Sequence, residues 1–85
     1  MSKKFSIVKK IDLDKLRRQI DLFRHETGER NPYLFMSYET INKICDPLID
    51  LKMFINYNPN QLIACFEGYK VFNDNELSYG EVEIR

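Results

Sequence analysis

Apolar residues recur every three or four positions in the N-terminal third of the chain, with charged residues between them. The recurring positions are Leu13, Leu16, Ile20 and Phe23. This spacing is typical of an amphipathic helix that buries one face. Asp12 precedes the run as an N-cap, and Gly28 follows it as the residue that most easily ends a helix. The pattern therefore predicts a helix between Asp12 and Gly28.

Shorter signals lie on either side of this helix. Residues Phe5 to Ile11 alternate loosely among four lysines, which predicts either an exposed basic arm or an edge strand. Tyr33 to Met36 is apolar and predicts a short strand. Ser37 is a second N-cap, and the inward-facing positions that follow it predict another helix, which Asp46-Pro47 closes. These inward positions are Ile41, Ile44 and Cys45.

The second half of the chain has the shorter period of β-strands. Leu51 to Tyr57 alternates apolar and polar residues, and Gln61 to Glu67 is again apolar, so the two runs predict a β-hairpin across Asn58-Pro59-Asn60. Gly68 indicates a bend or bulge after it. Further strands are predicted at Tyr69–Phe72 and Glu81–Arg85.

The order of these elements predicts an α+β fold, with two helices packed on one face of a small, mainly antiparallel sheet whose later strands form a meander. A chain of 85 residues is too short for a second core, so residues 1–85 are expected to form a single domain. The residues expected in the core are Leu16, Ile20, Phe23, Ile41, Ile44, Met53, Ile55, Ile63, Val71 and Val82.

Composition narrows the class of protein. With 44% hydrophobic residues and eleven Phe and Tyr, the chain is too apolar for a disordered protein. It contains no apolar run of roughly 20 residues and no signal-peptide core, which predicts a cytoplasmic location. Cys45 and Cys65 are expected to be buried, reduced thiols, and a single disulfide between them is the alternative.

The formal net charge is zero, but the charges are unevenly distributed. Residues 1–30 carry nine Lys and Arg against five Asp and Glu, whereas residues 31–85 carry four against eight. One interpretation is a solvated helix followed by a mildly acidic sheet. The other is a pair of complementary surfaces through which copies of the chain meet.

The sequence offers little catalytic chemistry. His25 is the only histidine, and its place in the last turn of the first helix favours a capping or solvent-exposed role. The three glycines are too scattered for a phosphate-binding loop. Asp74 and Glu76 fit a polar turn better than a calcium loop. We therefore predict no enzyme, cofactor or metal site, with a small carboxylate-dependent enzyme as the alternative.

Two sets of residues are candidates for binding. The basic set is Lys3, Lys4, Lys9, Lys10, Arg17 and Arg18, and such residues dominate nonspecific affinity for nucleic acid. A pI of about 6.6 and five acids in the same third of the chain argue against this alternative. The tyrosine set, favoured at protein interfaces because tyrosine combines area with a polar tip, is Tyr33, Tyr57, Tyr69 and Tyr79.

Two stretches resemble a segment of the major capsid proteins of tailed bacteriophages. The first runs from Phe35 to Ile44, and the second combines Phe66–Phe72, the polar turn Asn73–Leu77 and Gly80. The resemblance covers residues 35–84 and implies a phage or prophage origin. The long extended loop and spine helix of those capsid proteins have no counterpart here, so it implies a small accessory or assembly protein.

Together these patterns predict a non-enzymatic, phage-type protein that acts through protein contacts. Its partner is expected to be another protein, including a second copy of the chain, and no membrane is expected to be involved. Nucleic-acid binding by the basic N-terminal region is the first alternative function.

Overall fold

The computed structural model describes residues 2–47 and 62–85. These residues form two α-helices and six β-strands. In chain order the elements are β1 (Lys3–Ser6), α1 (Leu13–Thr27), β2 (Leu34–Met36), α2 (Tyr38–Ile44), β3 (Asp46–Pro47), β4 (Leu62–Phe66), β5 (Tyr69–Asn73) and β6 (Glu81–Ile84).

The six strands form one sheet in the spatial order β1, β6, β2, β5, β4, β3. Four of the five strand pairs are antiparallel, and β2 with β5 is the parallel one. The α+β class and the mainly antiparallel sheet are thus confirmed. The predicted meander is wrong, because β2 lies between β5 and β6 and separates them.

Local capping signals define both helices. The Asp12 side chain accepts a hydrogen bond from the Lys15 amide at 3.0 Å, and Gly28 ends α1 with φ 74°, as predicted. Ser37 caps α2 in the same way through the Thr40 amide. Asp46-Pro47 follows α2 as expected, but these two residues also form β3 and pair with β4. Because β3 is the last described strand at this side of the sheet, proline is tolerated there.

Both helices contribute to one hydrophobic core with alternate strand residues. Its buried members are Ile7, Leu16, Ile20, Phe23, Leu34, Met36, Ile41, Ala64, Phe66, Val71, Val82 and Ile84. Six of the ten predicted core residues are therefore confirmed. Ile44 is only half-buried, at the margin of the core. Met53, Ile55 and the side chain of Ile63 lie outside the described residues, as does the predicted strand Leu51–Tyr57.

The turn between β4 and β5 consists of Glu67 and Gly68, whose φ values of 48° and 88° are both left-handed. Two consecutive positive φ angles are typical of a two-residue type I′ hairpin. Gly68, expected as a bend or bulge, is therefore a hairpin-turn residue, and the bulge lies between Leu62 and Ala64 instead.

Two polar contacts join α1 to this hairpin. Arg17 donates to the Glu67 carboxylate at 2.7 Å, and Arg24 donates to the Tyr69 hydroxyl at 3.0 Å. The hydrogen bond with Glu67 raises the pKa of Arg17 above its ordinary value.

Candidate functional site

Three aromatic rings form a row on the sheet face that points away from the core. Leu34 and Met36 belong to the core, so the residue between them, Phe35, lies on the opposite face. Phe35 stacks on Phe72, its register partner in β5, with ring centroids 5.2 Å apart and 18° between the planes. Tyr33 meets the same Phe72 ring at 5.2 Å in a tilted geometry.

Arg85 completes this surface from the neighbouring strand end. Its guanidinium carbon lies 3.8 Å from the centre of the Phe35 ring, a cation–π geometry. Arg85 also forms ion pairs with Asp74, at 3.1 Å, and with Glu83. We call Tyr33, Phe35, Phe72 and Arg85 the aromatic face.

The sheet topology is what assembles the aromatic face. Parallel pairing of β2 with β5 sets Phe35 beside Phe72. On the other side of β2, the backbones of Tyr33 and Arg85 exchange two hydrogen bonds of 2.9 Å, which extends the pairing of β2 with β6. Each ring contact of the aromatic face therefore depends on pairing between strands that are distant in the sequence.

The three rings differ in their exposure to solvent. Phe35 is 6% exposed beneath Arg85, Phe72 is half-buried, and Tyr33 is 44% exposed. The solvent-accessible part of the aromatic face is therefore the Tyr33 ring, the edge of Phe72 and the Arg85 side chain. Because its neighbours hold each group in place, a partner would meet a preformed surface.

An open cavity of about 360 Å³ adjoins the aromatic face at the end of the sheet. Tyr33 and Tyr69 both line it, together with Gly68 and Lys70. The remaining lining residues, Glu29, Asn31 and Pro32, belong to the connection between α1 and β2. We call it the sheet-end cavity, and Tyr33 is the residue that it shares with the aromatic face.

The structure therefore brings together two of the four tyrosines predicted as an interface. Tyr69 is half-buried and packs against the core, and its hydroxyl is bonded to Arg24, so its contribution is confined to the cavity wall. Tyr79 is 42% exposed but lies in the loop before β6, near the start of α2. Tyr57 lies outside the described residues.

Phe35, Phe72 and Arg85 were not predicted as binding residues, although each lies within a predicted strand. Phe35 was counted in a short apolar strand, in which a run of three apolar residues gives no indication of which one faces away from the core. Only the register between β2 and β5 places its ring on Phe72.

The predicted basic set is divided between β1, the turn that follows it, and α1. Lys3 and Lys4 lie on β1 near Glu26 and Glu81, at 3.8 Å and 3.9 Å. On α1, Arg17 pairs with Asp14 and with Glu67 of the β4–β5 turn, and Arg18 is exposed. Lys9 and Lys10 are exposed in the turn that follows β1.

The remaining chemical candidates occupy structural positions. Asp74 is 8% exposed, accepts from the Glu76 amide at 3.0 Å and pairs with Arg85. His25 is exposed in the last turn of α1. No group of three or more potential metal ligands occurs within residues 2–47 and 62–85.

Cys45 and Cys65 form no disulfide with each other. They are half-buried rather than buried, because Cys45 ends α2 at the margin of the core and Cys65 alternates with the buried Ala64 and Phe66. The Cys45 sulfur lies 3.7 Å from that of Met36.

Neither helix in the described part of the chain is long and apolar enough to cross a bilayer. Comparison of the chain with protein-family models, with curated proteins and with solved structures gave no significant match.

Proposed function

We propose that the chain is a non-enzymatic domain that binds another protein through its aromatic face. The observation that supports this function is Tyr33, 44% exposed beside a stacked pair of phenylalanines and Arg85. Tyrosine and arginine are enriched among the residues that dominate interface energies. The cytoplasmic location expected from the hydropathy pattern of the sequence is part of the proposal.

Rigidity adds support to this proposal. The Phe35 ring is held between Phe72 and Arg85, and the Arg85 side chain is held by Asp74 and Glu83. Binding is weakened when mobile side chains must be immobilised. A surface whose side chains are already fixed avoids much of that entropic cost.

The phage resemblance supplies a biological setting for the same proposal. Its two stretches correspond to β2 with α2 and to the β4–β5 hairpin, which are neighbours through the parallel pair of β2 and β5. We propose on this basis that the chain is an accessory or assembly protein of a phage or prophage.

The test compares two tyrosines of similar exposure, Tyr33 and Tyr79. Wild type, Tyr33→Ala and Tyr79→Ala are immobilised and exposed to nuclease-treated lysate of the cells that produce the protein. We expect one protein to be captured by wild type and by Tyr79→Ala, and to be lost with Tyr33→Ala. Equal capture by all three proteins would contradict binding through the aromatic face. Circular dichroism melts of both variants exclude unfolding as the cause of a loss.

Nucleic-acid binding is the second candidate, supported by Lys9, Lys10 and Arg18, which are exposed and are in no ion pair seen within the described ranges. Binding of random-sequence DNA is measured as the salt concentration rises. A steep loss of affinity with salt supports this candidate, because phosphate neutralisation releases counterions. Undetectable binding at low salt removes it.

A further inference from the structure

One edge of the sheet is an open strand. β1 pairs with β6 on one side, and it has no strand on its other side within residues 2–47 and 62–85. Among the strands that the structure describes, the opposite edge is β3, which has two residues and includes Pro47, a residue without a backbone N–H. β1 is therefore the edge that offers more backbone donors.

The backbone hydrogen bonds show which groups of β1 point outward. The Ile7 amide donates to the Gly80 carbonyl at 2.7 Å, one step beyond the register pair of Ser6 with Glu81. Hydrogen-bonded and non-bonded pairs alternate along an antiparallel ladder. Phe5 and Lys3 therefore bond to β6, and the amides and carbonyls of Lys4 and Ser6 point away from the sheet.

The two faces beside this edge differ in chemistry. The half-buried Phe5 packs against the core, so the core side of the edge carries an apolar ring, beside Lys3 and its ion pair with Glu26. The Lys4 side chain lies on the other side, where its ion pair with Glu81 spans 3.9 Å and both groups are partly exposed. Exposed pairs of this kind contribute little, so Lys4 stays available to a further carboxylate.

The charge of the edge disfavours a second copy as its partner. Lys3 and Lys4 lie on the strand, and Lys9 and Lys10 follow it in an exposed turn. Lysines on an edge strand oppose self-pairing, because the same charges would meet across the new ladder. An occupant of opposite charge has no such penalty.

We propose that the open edge of β1 binds an extended acidic segment of another protein by strand addition. The segment alternates acidic and apolar residues, because one of its faces meets Lys4 and the other meets Phe5. Lys9 and Lys10 attract it to the edge, and the backbone groups of Lys4 and Ser6 hold it. This binding is separate from the aromatic face.

The test uses a fluorescent synthetic peptide that alternates Glu and Val, with a control peptide of the same composition in which all Glu precede all Val. Anisotropy titration is expected to show binding of the alternating peptide only, and weaker binding as salt rises. Equal binding of both peptides would show a purely electrostatic contact and overturn strand addition. Tighter binding of a single-stranded DNA oligonucleotide, or binding of neither peptide, would also overturn the proposal.

Two variants at the same position separate backbone from side chain. Ser6→Pro removes the outward N–H without removing a bond to β6, and we expect affinity for the alternating peptide to fall about tenfold, the effect of one hydrogen bond. Ser6→Ala removes the hydroxyl that accepts from the Val8 amide but keeps the N–H, so it is expected to bind as wild type does. Equal affinities of Ser6→Pro and Ser6→Ala would contradict the proposal.

Hydrogen exchange of the wild-type chain gives a second measurement that does not depend on the proline variant folding. Adding the alternating peptide is expected to slow exchange of the Lys4 and Ser6 amides while leaving Phe5 unchanged. Unchanged exchange at Lys4 and Ser6 under saturating peptide would overturn the proposal. Tyr33→Ala is expected to bind the peptide normally, so a failed aromatic-face proposal and a failed edge proposal are distinguishable.

Discussion

Gly80 lies where the loop before β6 passes the turn after β1. Its φ is 80°, and a Cβ at this position would lie 2.4 Å from a Val8 methyl carbon. The Gly80 amide also donates to the buried Thr40 hydroxyl at 2.9 Å, which fixes the loop on α2. The left-handed backbone conformation and the close approach of Val8 therefore both require glycine at position 80.

We predict that Gly80→Ala lowers the free energy of unfolding by about 2 to 5 kcal/mol. Left-handed backbone costs roughly 1 to 2 kcal/mol for a residue with a Cβ, and the clash with Val8 adds about 1 to 3 kcal/mol. Urea unfolding of the variant measures the loss. Adding Val8→Ala to this variant should restore only the part of the unfolding free energy that the clash removes. Full restoration would show that the backbone is unstrained.

Gly28 provides the matched control for this argument. Its φ of 74° is similar, but a Cβ there would meet no atom within 4 Å. Gly28→Ala is therefore expected to cost only the conformational component, roughly 1 to 2 kcal/mol. The same urea series tests this, and a loss as large as that of Gly80→Ala would remove the steric explanation.

At the scale of the element, α1 is the helix whose apolar face was predicted from spacing alone. Phe23 is 3% exposed, whereas Leu22, its neighbour, is 46% exposed. Phe23→Ala should cost about 3 to 5 kcal/mol, because it leaves a cavity in the core. Leu22→Ala should stay within about 0.5 kcal/mol of wild type. Similar losses for the two variants in urea would contradict the observed orientation of α1.

The N-cap of α1 gives a smaller prediction. Asp12→Ala removes the acceptor of the Lys15 amide and should cost about 1 kcal/mol. Asp12→Asn keeps an acceptor and should retain most of that stability. Thermal melts of the two variants measure the difference. Equal melting temperatures for the two would show that the capping hydrogen bond contributes nothing.

The elements that sequence predicted well are those specified by neighbouring residues. Asp12 and Gly28 bound α1 because capping depends on residues within one turn of the helix end. Asp46-Pro47 was interpreted only as a helix stop, because its pairing with β4 depends on residues distant in sequence. The aromatic face was missed for the same reason, since Phe35 meets Phe72 only after β2 and β5 have paired.

At the scale of the whole molecule, a small core and an exposed aromatic face favour association. We predict that the chain forms dimers at tens of micromolar through the aromatic face, so that its melting temperature rises with concentration. Sedimentation and concentration-dependent melts measure both. Tyr33→Ala should abolish the effect and Tyr79→Ala should not. A monomer with concentration-independent melting would leave a different protein as the partner of the aromatic face.

The salt dependence of self-association gives a second test. Contact through Tyr33 and Phe72 should be insensitive to salt, whereas contact between oppositely charged surfaces should weaken as the Debye length falls to about 8 Å at 0.15 M. Sedimentation at low and at physiological salt distinguishes the two. Dissociation at physiological salt would assign self-association to the uneven charge distribution and not to the aromatic face.

The position of β6 also has a consequence for synthesis on the ribosome. In the sheet β6 lies between β1 and β2, although it follows both in the sequence. While the chain is being made, α1 can form from its own residues, but the two early strands have no partner on that side until β6 emerges. Long-range pairing of this kind slows folding and prolongs exposure of unpaired strand edges. The nascent chain is therefore most vulnerable to aggregation before β6 has emerged from the ribosome.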